Sequence, residues 1–280
     1  MKRQNILRII IIFFVKEINM KIKNQNKIKE KIIGKLLSII YHLDNSGNSL
    51  FADNGEENFI NQFIDSTRSI APVIFDVGAN VGTYSKLLSD KLNEAEYSLH
   101  IFEPQKSCFM DLQLKFKDNK QTILNNFGLS KTEESAVVYK TENKGGLTSL
   151  YKRNLDFYNL QMNMEETIEL RRANKYIQSK NIKHINLLKI DVEGYELNVL
   201  TGFGEYLNAD FIDFIQFEYG GADLDSHVSL LDFYSLLLPL GFKIAKIMPK
   251  YLEIRDYNPR LDNFVYSNYI AISPKFIKNI

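Results

Sequence analysis

A single cysteine, Cys108, stands among 280 residues, so the chain closes no internal disulfide and its composition fits a reducing compartment. Six prolines and fourteen glycines exclude a collagen-like or broadly disordered chain. The apolar stretch at residues 9–15 is only seven residues long, bounded by Arg8 and Lys16, whereas a bilayer-spanning helix needs about 20. No small-residue cleavage site follows it, so a cleaved secretory signal is not expected. Internal repeats and low-complexity tracts are missing too. What is present is ordinary globular material, 45% apolar and 25% charged, enough for one large domain with an extension.

The net charge of +1 conceals an asymmetry. Residues 1–40 carry ten Lys or Arg against Glu17 and Glu30, a local +8, leaving −7 on the remainder. An acidic body lacks the basic face that phosphate backbones require, so a nucleic-acid partner is not expected. Residues 27–43, KIKEKIIGKLLSIIYHL, space their apolar side chains three and four apart, as a helix does. Residues 1–43 therefore read as a basic helical extension, non-catalytic, and either a solvated lead or an arm for peripheral contact with an anionic membrane surface. The expected location is cytoplasmic, with the inner face of the membrane as the surface such an arm would meet.

From residue 72 the rhythm becomes one of short apolar runs alternating with longer amphipathic ones. PVIFDV, SLHIFEP, QTILNNFGL, INLLKIDVEG, FIDFIQFEYG, FKIAKI and NYIAI read as strands; TYSKLLSDKL, KSCFMDLQLKF, YELNVLTGF and SLLDFYSLLLPL read as helices. That alternation predicts an α/β domain over residues 44–280, with a mostly parallel sheet covered by helices on both faces. Ligands of such sheets lie outside the carboxyl ends of the strands. Residues 131–184 form a long interval after the third strand. It holds the strand-like SAVVYK and ETIEL around the glycine pair of TENKGGLTSLY, and contacts to an acceptor substrate are expected there.

The first strand runs into Asp76-Val-Gly78-Ala-Asn80-Val-Gly82. Glycines at such a loop let backbone N–H groups approach a ligand. The spacing is not the dinucleotide G-x-G-x-x-G, and Asp76 at the entry would repel a pyrophosphate while suiting a cationic head. Glu103 ends the second strand 21 residues past Gly82, where a carboxylate accepts hydrogen bonds from ribose hydroxyls. S-adenosylmethionine combines a cationic amino-acid head, a ribose and an adenine.

VIFDVGANVGTYS, IFEPQ and LLKIDVEGYELNVLTGF, in that order, resemble the FkbM family of S-adenosylmethionine-dependent methyltransferases over roughly residues 53–275. The resemblance implies a Rossmann-like class I fold with a mostly parallel seven-stranded sheet, and methyl transfer to oxygen. The acceptor it implies is a hydroxyl on a sugar, glycan or related polyhydroxylated small molecule, as in polysaccharide biosynthesis. Carried over by position, Asp76, Val77, Gly78, Ala79, Asn80, Gly82 and Tyr84 would line the methionine side of the cofactor. Glu103 and Pro104 would meet the ribose, and Asn126, Phe127 and Gly128 would lie near the adenine. One departure is Ala173-Asn174, where the family often has a Leu-Asp pair; asparagine keeps a helix-capping capacity and gives up the charge.

An alcohol loses its proton reluctantly, so methyl transfer benefits from a base or a metal. Asp191 falls at the end of the fourth strand, where it would also face the cofactor's methyl group, and Lys189 alternates with it on the same face, either a catalytic candidate or one half of a buried ion pair. Glu193 is expected to open the next helix, Glu196 to serve structure, and Glu218 to lie beside Asp191. Asp191 with Glu193 or Glu218 is the expected base; the same carboxylates could hold Mg²⁺, but no complete ligand set is legible and the metal-free reading is preferred. Of the histidines, His100 reads as core, and only His227, beyond the fifth strand, is kept as a candidate base. Two rivals stay in view. An NAD or nucleotide-sugar enzyme is disfavoured by the missing G-x-G-x-x-G. A non-catalytic cofactor-binding partner in a surface-glycan assembly is opposed by the intact Asp76, Glu103 and Asp191.

Overall fold

The computed structural model describes residues 25–93, 95–142 and 147–279. The apolar stretch at 9–15, most of the basic arm and the glycine pair at 145–146 lie outside the described residues. The chain divides into two compact units, one ending at Asp44 and one beginning at Asn45. Helix α1, Gln25–Leu43, is the described part of the first. Among the described residues no helix is long and apolar enough to cross a membrane.

The second unit begins with α2, Glu56–Thr67, followed by β1 (Val73–Val77), α3 (Thr83–Leu92), β2 (Ser98–Phe102), α4 (Lys106–Lys115) and β3 (Thr122–Asn125). The insertion contributes β4 (Gly128–Ser130), β5 (Glu134–Lys140), β6 (Thr148–Ser149) and β7 (Met164–Arg172), and α5 (Ala173–Ser179) returns the chain. Then come β8 (Ile185–Ile190), α6 (Glu196–Gly202), β9 (Ile212–Tyr219), α7 (Gly221–Ser226), α8 (Leu230–Leu237), β10 (Lys243–Ile247), β11 (Leu252–Ile254) and β12 (Ser267–Ile272). The main sheet has the order β11-β10-β12-β9-β8-β1-β2-β3. Strands β1, β2, β3, β8 and β9 are parallel, and β12 is inserted antiparallel between β9 and β10. This is the Rossmann-like arrangement, with eight strands rather than the expected seven. The extra strand, β11, is a three-residue hairpin partner of β10.

Every residue of β8 and of β12 is buried, as strands covered on both faces require. Alternation along β1 sends Phe75 and Val77 into one core with α5, α6 and α8, and Ile74 into another with α2, α3 and α4. Lys189 and Gln216 alternate in phase with Leu187 and Phe214 of that second core, so Asp76, Lys189 and Gln216 face α2 and α3.

The run QTILNNFGL is not one strand. Asn125 ends β3, its side chain donating to the carbonyls of Ile101 and Ile123, and β4 leaves the main sheet to pair with β7. A second sheet results, ordered β4-β7-β5-β6. It lies close against α6: a Cβ on Gly202 would overlap the Ser130 carbonyl. Helix α5 begins at Ala173 with Arg172 as its cap, so Asn174 lies inside the helix and does no capping.

Candidate active site

Register builds the site. Val77 pairs with Phe102 and with Ile190, and Ile190 pairs with Phe217. The next residue on each strand is therefore Gly78, Glu103, Asp191 and Glu218, side by side along one edge of the sheet. The strand order reverses about β1 and β8 there, where a parallel sheet opens a crevice.

Two cavities share this edge. The first, about 190 Å³, runs from Glu103 and Pro104 past Gly128 to the second sheet, with Leu129, Val138, Ile168 and Leu170 as apolar wall. The second, about 250 Å³, lies on the α2–α3 side and is lined by Glu56, Asp76, Tyr84, Lys189 and Tyr266. Gly78, Asn80 and Asp191 belong to both walls.

Glu103 is buried with each oxygen holding one backbone N–H: Oε1 accepts from Gln105 at 2.8 Å and Oε2 from Asn80 at 2.8 Å. A carboxylate so held keeps lone pairs for further donors. Burial pushes it up to about 7, against the pull of those two amides. Asn126 donates to the carbonyls of Glu103 and Pro104, bracing the same corner, whereas Phe127 turns into the core against Phe102 and Tyr176. The structure thus brings Gly128 to the cavity and keeps Phe127 out of it.

The loop glycines serve packing. Gly78 has φ +83, and a Cβ there would overlap the Asp191 carbonyl. Gly82 has φ +77, and a Cβ there would overlap Leu112 of α4. Their N–H groups point inward: those of Gly78 and Ala79 donate to Phe102 and that of Gly82 to Ala79. The expectation that these glycines free N–H groups for a ligand is corrected on that ground. Gly82 lines neither cavity, while Val77 lines the first and Ala79 and Tyr84 the second.

Charge is concentrated around Asp191. Lys189 donates to its Oδ2 at 2.9 Å, and the ammonium sits 5.0 Å over the Tyr84 ring. Burial opposes that charge, but Asp191, Asp76 and Glu56 outweigh it and raise the lysine. Asp76 is fully buried; Ser85 donates to Oδ2 at 2.6 Å, and burial raises the carboxyl. Tyr84 donates to Gln216 at 2.7 Å. Burial raises Glu218 well above the ordinary carboxylate range, with Asp191, Glu193 and Glu196 adding to it.

Glu193 does not open a helix. It sits at φ +53 in the turn before α6, which begins at Glu196, and the Glu196 carboxylate accepts from Val192 N–H at 2.9 Å. Burial and Asp191 push Glu193 up to about 7, and Arg153 draws it down. Arg153 went unrecognised in the sequence. It reaches from the insertion to Glu193 Oε2 at 2.8 Å and Asp225 Oδ2 at 2.9 Å, and its only signal was a place in the segment assigned to acceptor contacts. Nor was Glu56 foreseen. His227 is exposed and ends α7 in the left-handed region, lining neither cavity. His100 is core, bonded to Tyr176 at 2.7 Å and lowered to about 4 by burial. Among the described residues no group of three or more His, Cys, Asp or Glu could hold a metal ion.

Comparison with known proteins bears on this arrangement. The Methyltransferase FkbM domain matches residues 76–256. The chain is 26% identical over 207 residues to Methyltransferase 1 of Beauveria bassiana, covering 67% of this chain and 80% of that protein. It is 25% identical over 189 residues to the hexuronic acid methyltransferase AglP of Haloferax volcanii, covering 63% and 68% respectively. The solved structure of an FkbM methyltransferase from Methylobacillus flagellatus aligns with a TM-score of 0.46 at 16% identity, over 71% of this chain and 43% of that one. This chain therefore spans less than half of that protein.

Proposed function

The chain belongs to the FkbM methyltransferase family, and from that premise we propose that it transfers a methyl group from S-adenosylmethionine to a hydroxyl oxygen of a sugar, glycan or related polyhydroxylated acceptor. The observation that carries the cofactor is Glu103: a buried carboxylate with one amide on each oxygen, set in an apolar-walled cavity, matches a vicinal diol beside an adenine. When bound, S-adenosylmethionine supplies an electrophilic methyl carbon with a neutral leaving group.

The protein has two tasks in such a reaction, alignment and proton removal. Glu103 and the braced Asn126 corner hold the nucleoside end. Asp191 stands where the two cavities meet, and Lys189 fixes one of its oxygens and leaves the other for an acceptor hydroxyl. Glu218, raised by burial and then by its acidic neighbours, is a strong proton acceptor once ionised. The second sheet gives the first cavity an apolar wall through Val138, Ile168 and Leu170. The Thr148 and Ser149 hydroxyls in the lining, which donate to Gln105 and to the Glu193 carbonyl, keep lone pairs that suit a hydroxylated acceptor, and the hexuronic acid relative favours a saccharide.

Calorimetric titration with S-adenosylhomocysteine tests the cofactor. The wild type is expected to bind, and Glu103→Gln to bind at least about tenfold more weakly. A well-folded wild type that binds nothing removes the reading. For the acceptor, labelled methyl incorporated into candidate sugars should survive mild alkali, as an ether does; label released by alkali would mean a carboxyl ester instead.

A further inference from the structure

Two carboxyls behind the reacting edge, those of Glu196 and Asp223, have no task in the reaction proposed above. Both are buried, each 2% exposed, and each has one oxygen matched by a backbone N–H. Glu196 Oε1 accepts from Val192 at 2.9 Å, and Asp223 Oδ2 accepts from Gly220 at 2.7 Å. Their other oxygens, Glu196 Oε2 and Asp223 Oδ1, are buried with no donor among the described residues. Leaving a buried carboxylate oxygen unmatched is costly.

The fold brings the two together. Glu196 opens α6 and Asp223 lies in the first turn of α7. The turn before α6 presses on α7 so closely that a Cβ on Gly194, at φ +95, would overlap the Ala222 carbonyl. After burial, the Asp223 charge is the largest influence on Glu196. Of the other groups that face the pair, Asp191 and Glu193 come from the turn, Glu218 and Tyr219 from β9, and Tyr151 from the insertion. The cation that acts on Asp223, Arg153, is taken by Glu193 and Asp225. An ionised carboxyl has no proton to give, so two carboxylates here would leave both oxygens unmatched and set like charges side by side. One proton removes both costs, as it does where paired acids cannot both ionise.

We propose that Glu196 and Asp223 hold a single proton between them, the Glu196 O–H donating to Asp223 Oδ1, and that this bond fastens the turn from Asp191 to Tyr195 against α7. Glu196 is the side that keeps the proton: burial and the Asp223 charge raise it well above the ordinary range, whereas Asp223 rises to about 7. No ligand takes part, so the bond stands apart from the methyltransferase reading.

Infrared spectra of the full-length protein at about pH 8, where ordinary Asp and Glu are ionised, test the proton. The wild type should retain the carbonyl stretch of a protonated carboxyl. Glu218 adds to that band, so the difference between proteins is read. Glu196→Gln should lose one carboxyl's share, and Asp223→Asn, whose amide donates to Glu196 and leaves it ionised, should lose the same share. Urea midpoints test the fastening. The folded wild type keeps a proton that the unfolded chain gives up, so its midpoint should fall more steeply from about pH 5 to 9 than that of Glu196→Gln. Glu196→Met, similar in size but without a donor, should unfold at a lower midpoint than Glu196→Gln. Superimposed bands, equal slopes, or equal midpoints for the Gln and Met variants overturn the proposal. So does a Glu196→Gln protein that fails to fold, because its amide supplies the same donor to Asp223.

Discussion

Gly78 and Gly82 share a motif and a left-handed backbone, yet their replacement should differ. At Gly78 an alanine Cβ meets the rigid Asp191 carbonyl; at Gly82 it meets the end of the Leu112 side chain, which can move. Urea unfolding should show Gly78→Ala losing about 3 kcal/mol or more and Gly82→Ala about 1 kcal/mol. Equal losses would mean the Asp191 carbonyl yields more easily than its position between two strands suggests. For Asp191→Asn, the rate of methyl transfer should fall about 10²–10⁴-fold while S-adenosylhomocysteine binds within a few-fold of wild type; a loss of binding alone would make Asp191 a ligand-holding group. Glu103 was legible because its distance from the glycine loop follows from one strand–helix–strand unit. What the glycines pack against was not, since the atoms they avoid belong to residues 112 and 191, far along the chain.

Helices and strands of the main sheet were legible from apolar periodicity, because burial on one or both faces writes itself into spacing. The break between β3 and β4 was not. Residues 121–129 are strand-like throughout, and the turn depends on Asn125 and Asn126 bonding to a neighbouring strand and loop. The insertion's fastening was equally hidden, for Arg153 finds its partners 40 and 72 residues away. Arg153 has a side chain only 10% exposed, so Arg153→Ala should leave Glu193 and Asp225 unbalanced and cost about 3 kcal/mol. Hydrogen exchange should then quicken across β5, β6 and β7 ahead of the main sheet. Exchange that rises uniformly would show that the second sheet has no independent opening.

Four carboxyls, three buried and one, Glu193, partly so, couple the protein's stability to pH. Burial raises Glu56, Glu103 and Glu193 from 4.5, and Asp223 from 3.8, each to about 7. Between about pH 4 and 7 the unfolded chain gives up these protons while the folded chain keeps them. Unfolding then releases protons, so stability falls as pH rises through that window and levels off above it. Urea midpoints measured from pH 5 to 8 in the ligand-free protein should trace this decline; a flat profile would mean that the carboxyls titrate as exposed groups do. Ligand hydroxyls donating to Glu103 favour its ionised form. Titrations of S-adenosylhomocysteine near pH 6 in buffers of different ionisation enthalpy should therefore register proton release.

Because Gly78, Asn80 and Asp191 wall both cavities, a molecule that fills both must pass beside Asp191 on its way. For such a molecule the protein would act as a ruler: only a ligand whose two ends reach into both cavities brings its middle to the shared edge. A homologue of S-adenosylhomocysteine one methylene longer should then bind more weakly than the parent compound in calorimetry. Selection by length, independent of which groups the ends carry, follows from a partition that three residues build.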